Sequence, residues 1–205
     1  MLIITPMSNI LIVGSGAREH AIVRAFKRSP QNPSLFCFAS SNNPGIKNIC
    51  VGYEAGKITD PEAVLNFAKA NGIELAFIGP EGPLSAGVAD ILWENNIPTV
   101  GPKQKLAQLE SSKAFTRDLT TDYNIPGSPK YKSFSNMEGV KEFLEELGEL
   151  YVVKYDGLMG GKGVKVAGDH LFSHEEAIAY CEELIADGGS FVIEEKLIGQ
   201  EFSLM

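Results

Sequence analysis

The chain has few of the residues that announce a site by themselves. Only three cysteines occur in 205 residues, Cys37, Cys50 and Cys181. Their odd number and wide spacing exclude a compact disulfide framework and a zinc-finger pattern. They are expected as reduced thiols in or near the core of a cytoplasmic protein. The three histidines, His20, His170 and His174, have no partner at metal-ligand spacing, so no residue is assigned to a metal. Positive charge is also short: 18 Lys and Arg stand against 26 Asp and Glu, for a net charge of −8. With no basic run, nucleic acid is not an expected partner. No apolar stretch approaches the ~20 residues of a membrane span. Met1–Pro6 is apolar but short and lacks the flanks of a signal peptide, and is expected as an irregular start.

What is abundant is apolar residue, glycine and proline. A chain with 44% hydrophobic and 21% charged residues can bury a core. The 21 glycines and 11 prolines have no collagen period and point to many turns.

Strand and helix signals alternate over residues 9–115 with the period of βα units, which predicts a parallel sheet covered by helices. The strands are expected at Asn9–Val13, Leu35–Ala39, Leu75–Ile78 and Pro98–Val100. Helices are expected over Arg18–Arg28, with Ala21, Ile22, Ala25 and Phe26 on one side, from Pro61 after an Asp60 cap, and over Leu84–Trp93. Asn42-Asn43-Pro44-Gly45 predicts a turn. Leu106–Leu119 predicts a helix broken near Glu110-Ser111-Ser112. The pattern then becomes mixed α+β. Strands are expected at Lys130–Phe134, Tyr151–Tyr155, Val164–Ala167 and Phe191–Glu195, with helices over Met137–Leu147 and from a Ser173 cap to about Leu184. Glu201–Met205 alternates like a strand with no cap or polar tail behind it, so a truncated chain is expected.

Four segments carry candidate chemistry. Gly14-Ser15-Gly16-Ala17-Arg18-Glu19-His20 joins a first strand to a first helix, where free backbone N–H groups can hold an anion or simply form a tight turn. Glu19 stands where a dinucleotide-binding G-x-G-x-x-G would have its third glycine, which disfavours a nicotinamide oxidoreductase. Gly79-Pro80-Glu81-Gly82-Pro83 follows a parallel strand, at the end where open α/β sheets place ligands, and is either a rigid turn or a hydrogen-bonding site. Val153–Val164 joins strand to strand through four glycines, with Lys154 inside an apolar strand and Lys162 in the loop. A buried ammonium needs an anion, and a glycine loop with a lysine can wrap a polyphosphate. Lys162 is followed by Gly163 with no helix, so the loop is not a Walker A motif. Lastly, the Phe191–Glu195 strand ends in carboxylates followed by Glu201, an edge that could meet a flat base and a ribose.

In order and spacing these segments, with Gln108–Thr116, resemble the phosphoribosylamine–glycine ligases (glycinamide ribonucleotide synthetases), ATP-grasp enzymes of purine biosynthesis, over almost the whole chain. The resemblance implies a Rossmann-like parallel-sheet domain over 1–115, a small α+β ATP-grasp lid over 116–190, and over 191–205 the truncated start of a large ATP-grasp subdomain. It implies ATP-dependent joining of glycine to 5-phosphoribosylamine through a glycyl phosphate, in a monomeric cytoplasmic enzyme. Lys113, Lys154 and Lys162 would be ATP phosphate ligands, Lys162 acting catalytically on a closing loop. Glu194 and the backbone of Glu195 and Leu197 would meet adenine, and Glu201 the ribose. Gly14, Gly16, Arg18, Glu19, His20, Gly79, Pro80 and Glu81 would form part of the phosphoribosylamine side. Magnesium or manganese ligands are expected beyond Met205, so this piece alone is expected to be inactive. Two departures stand out: Leu158-Met159-Gly160-Gly161 where alanines are common, and Lys196 where an aromatic is usual. The alternatives are another ATP-grasp carboxylate–amine ligase, or a non-catalytic nucleotide-binding half of a split enzyme.

Overall fold

A computed structural model describes residues 8–160 and 162–202. The chain divides into two compact units, Met1–Ala107 and Gln108–Met205.

The first unit runs β1 (Asn9–Val13), α1 (Ala17–Lys27), β2 (Ser34–Ala39), α2 (Pro44–Lys47), β3 (Gly52–Ala55), α3 (Pro61–Ala70), β4 (Leu75–Ile78), α4 (Glu81–Ser85), α5 (Val88–Glu94) and β5 (Thr99–Val100), then enters α6 (Gln104–Ser111). Its sheet has the order β3-β2-β1-β4-β5 with every pair parallel, the expected Rossmann-like arrangement. The chain winds outward from β1 to β3, then crosses back to β4, so the strand order reverses between β1 and β4. Ligands in such sheets sit at the carboxyl ends flanking that point. Alternation along β1 supplies both faces: Leu11 and Val13 pack with α3 and α5, Ile10 and Ile12 with Val23 of α1 and Cys37.

The second unit contains α7 (Lys113–Asp122), β6 (Tyr131–Phe134), α8 (Val140–Leu147), β7 (Tyr151–Tyr155), β8 (Val164–Val166), α9 (His174–Ala186) and β9 (Phe191–Glu195). Its antiparallel sheet has the order β6-β9-β7-β8. Tyr151, Val153, Phe191 and Ile193 face a core filled by Phe143 and Leu144 of α8 and by Ala177, Cys181 and Leu184 of α9. The two-residue period therefore turns Lys154 and Glu194 to the opposite face. β9 lies between β6 and β7, so this sheet runs across the expected boundary at residue 190.

Several local expectations change. Asn43 accepts from Gly45 N and Ile46 N, turning the expected Asn42–Gly45 turn into the start of α2. The Leu84–Trp93 helix is two pieces, α4 and α5, because Gly87 takes a left-handed φ of 85°. α8 begins at Val140 rather than Met137, behind Gly139 at φ 77°. In α1 Ile22 and Phe26 pack against the core as expected, but Ala21 and Ala25 are exposed and the most buried residues are Glu19 and Val23. The expected helix break falls at Ser112, whose hydroxyl caps α7. Met1–Pro6 and Ser203–Met205 lie outside the described residues.

Candidate functional site

In the first unit the β1–α1 turn and the β4–α4 turn meet through Glu19. Its carboxylate, 4% exposed, accepts from Gly16 N at 2.5 Å. Three glycines are shaped around it. A Cβ on Gly14 (φ 122°) or on Gly16 would come within 2.9 Å of Glu19 atoms, and one on Gly79 would overlap Glu19 Oε1. Glycine is needed at these places because a carboxylate already fills the space. Arg18 Nη1 donates to Gly79 O at 2.6 Å, a second tie between the turns. His20 lies against Gly45, where a Cβ would strike its ring. Asn43 Nδ2 donates to Ser15 O at 2.8 Å, bringing the β2–α2 loop to the same end of the sheet. Thus Gly14, Gly16, Arg18, Glu19, Gly79 and the adjoining Pro80 are brought together. Glu19 sits inside the cluster, and Glu81 is exposed at the start of α4.

In the second unit a cavity of about 310 Å³ is lined by Lys113, Arg117, Lys154, Val164 and Glu194, with Ser112 and Thr116 among its other walls. Glu194 forms its charged floor. The carboxylate, 4% exposed, accepts from Arg117 Nε at 2.7 Å through Oε2 and pairs with Lys154 Nζ through Oε1. Burial pulls the Lys154 ammonium down to about 8, ahead of the neighbouring Arg117 and Lys113 charges, while the Glu194 carboxylate works in the opposite direction. Lys113 Nζ donates to Gly157 O at 3.0 Å, at the start of the glycine loop. Asp156 anchors that loop to α7, accepting from Lys113 N at 2.6 Å and Ala114 N at 3.2 Å. These two N–H groups are among those a helix start leaves without intrahelical partners.

Of the residues expected to bind nucleotide, Lys113, Lys154 and Glu194 line this cavity together. Lys162 is exposed on the β7–β8 hairpin loop, its N–H donating to Met159 O. Glu195, Leu197 and Glu201 are exposed beyond the cavity walls. Glu195 N already donates to Lys130 O at 2.8 Å. Sequence reasoning passed over Arg117 and Asp156. Arg117 follows Lys113 by four residues, and that helical spacing is the one signal that could have revealed it. Among the described residues, no group of three His, Cys, Asp or Glu side chains could hold a metal ion, and no helix is long and apolar enough to cross a membrane.

Comparison with known proteins meets this geometry at both units. The family profile described as phosphoribosylglycinamide synthetase, N domain, matches residues 8–110, and that of the same synthetase's ATP-grasp (A) domain matches residues 111–205. The chain belongs to the phosphoribosylglycinamide synthetase family. It is 49% identical over 195 residues to the phosphoribosylamine–glycine ligase of Methanosarcina barkeri, covering 95% of this chain and 45% of that one. To the ligase of Thermococcus kodakarensis it is 45% identical over 194 residues, covering 95% and 44%. The crystal structure of the Thermotoga maritima phosphoribosylamine–glycine ligase superposes with a TM-score of 0.71 at 29% identity, over 94% of this chain and 44% of that chain. An N5-carboxyaminoimidazole synthetase from Staphylococcus aureus complexed with ADP reaches 0.73 at 14% identity, covering 95% and 48%, and shares the fold. The chain therefore spans about 45% of the length of the curated synthetases it matches.

Proposed function

We propose that the chain serves the ATP-dependent joining of glycine to 5-phosphoribosylamine, giving glycinamide ribonucleotide, ADP and phosphate through a glycyl phosphate. The observation that carries this is the cavity where Lys113 and Lys154 stand on one face beside a glycine loop, in a chain of this family. Phosphoryl transfer needs cations fixed around the phosphate oxygens and water kept from the acyl phosphate. Lys113 and Lys154 would hold the ATP phosphates. Lys162, on the exposed loop, would close over them and act on the transferring group. The Glu194–Leu197 segment would meet the base and Glu201 the ribose. The Gly14–His20 and Gly79–Glu81 turns, at the carboxyl ends of β1 and β4, would receive phosphoribosylamine.

The magnesium or manganese of such a reaction takes oxygen ligands. Its ligands are not assigned among the described residues, where no group of three His, Cys, Asp or Glu side chains could hold such an ion. The three free thiols suit a reducing cytoplasm, and a monomer is the assembly proposed.

ATP titration into the 205-residue chain, followed by calorimetry, tests the nucleotide assignment. Saturable binding that weakens at least about tenfold in Lys154→Met is expected, that factor being worth about 1.4 kcal/mol. Binding unchanged by both Lys154→Met and Lys113→Met would overturn it. Ligation by this chain alone is not expected, and turnover of ATP with glycine and phosphoribosylamine would refute that.

A further inference from the structure

Three side chains in the cavity form a chain of charge that the assigned roles leave unexplained. Glu194 is as buried as any polar residue among those described, and it gives one oxygen to Lys154 and the other to Arg117. Arg117 and Lys154 are each 24% exposed at the cavity wall, while the carboxylate they share is 4% exposed at its floor. An ammonium that turned toward a phosphate would ordinarily leave a bare carboxylate behind it, buried and facing the incoming anion. Such a charge is costly and would repel the ligand.

We infer that Arg117 is a positioning residue for nucleotide binding, holding Glu194 neutralised so that Lys154 is free to engage an anionic ligand. Arg117 reaches Glu194 from α7, across 77 residues of sequence, through a charge-assisted Nε–H···O bond to Oε2. Lys154 then shares a counter-ion that does not depend on it alone. The other charges around Lys154 are Lys113, also from α7, and Glu110 at the end of α6. Lys113 Nζ is turned to Gly157 O instead and Glu110 is itself an anion, so Arg117 is the residue placed to hold the Glu194 carboxylate when Lys154 turns away.

The inference rests on the nucleotide assignment above, and two measurements separate their failures. The first needs no ligand: NMR titration of the Lys154 ammonium in the wild type and in Arg117→Met. With Arg117 gone, Lys154 loses a repelling neighbour and has Glu194 to itself, so its pKa is expected to rise by at least one unit. Arg117→Lys should leave it near the wild-type value. The second is ATP binding. Arg117→Met should weaken it about tenfold or more, Arg117→Lys should restore most of the loss, and Arg117→Met with Glu194→Gln should bind as Glu194→Gln does alone, because no bare carboxylate remains. A Lys154 pKa unmoved by Arg117→Met overturns the inference, as does a double variant as weak as Arg117→Met. A wild-type chain that binds no ATP removes the nucleotide assignment and this inference with it, whereas normal ATP binding in Arg117→Met removes the inference alone. Circular dichroism of each variant identifies one that fails to fold, and Glu194→Gln, which keeps the side-chain shape, carries the comparison in that case.

Discussion

Two glutamates are buried to nearly the same degree, Glu19 at 4% exposure in the parallel-sheet unit and Glu194 at 3% in the antiparallel one. They are accommodated in different ways. Glu19 is met by backbone, the Gly16 N–H together with the glycines at 14, 16 and 79 whose missing side chains make room for it. Glu194 is met by charge, one cation on each oxygen. The first solution depends on shape and fixes two turns at the carboxyl ends of β1 and β4. The second depends on ions whose partners can be exchanged. Under the roles proposed above, rigidity would suit the turns at β1 and β4 and a lysine that can change partners would suit the cavity.

The comparison breaks most sharply at Gly79. Its Cβ would overlap Glu19 Oε1, so Gly79→Val is expected to cost about 3 kcal/mol of stability by overpacking. Urea unfolding reads the loss. Adding Glu19→Ala should recover more than half of it, since the obstacle is then gone; no recovery would show that the glycine is required for some other reason. Glu194→Ala should cost about 2 kcal/mol, less than the loss of a fully buried pair because Arg117 and Lys154 can both reach water. Its cost should shrink as Lys154 is neutralised at alkaline pH, whereas the cost of Gly79→Val should not change with pH.

A third test uses titration. Lys154 has a pKa near 8 in the free chain, below the ordinary lysine value. A bound polyphosphate raises it again by favouring the charged form. Binding therefore takes up a proton above that pKa, and ATP affinity should fall as pH rises, by about tenfold between about pH 7 and about pH 9. Calorimetry at several pH values measures it. A flat profile would show that Lys154 does not carry the phosphate contact.

Much of this arrangement could be read from local pattern. The apolar runs of β1, β4, β7 and β9 and the Asp60–Pro61 helix start are all where the sequence places them, because burial and capping are local signals. β3 gave no such signal: Gly52–Ala55 is a half-exposed edge strand without an apolar run. The clasp at Glu19 needed Gly79, sixty positions on and brought close only by the parallel pairing of β1 with β4. Nothing local marks Arg117, because its partner Glu194 lies 77 residues further along the chain. A lysine inside an apolar strand, such as Lys154, declares itself by composition, and the Glu194–Arg117 pair beside it does not.

The smallest effect sharpens the comparison most, because it uses a carboxylate from the charged unit that is held in the manner of Glu19. Asp156 accepts from the backbone N–H groups of Lys113 and Ala114 at the start of α7, and its other oxygen accepts from the Ser112 hydroxyl. If partner type rather than location governs behaviour, Asp156 should act like Glu19 despite sitting beside the lysines. Asp156→Ala is expected to cost about 1 kcal/mol, the size of a lost helix cap, with faster amide exchange at Lys113 and Ala114. That cost should be nearly the same in roughly 0.05 M and roughly 0.5 M salt, because short bonds to backbone dipoles are poorly screened. The cost of Glu194→Ala should depend on salt over the same range, since ions can screen the two cations it leaves behind. Equal salt sensitivity in the two variants would mean that Asp156 is felt by Lys113 as a charge, and that the antiparallel unit is held by its ions throughout.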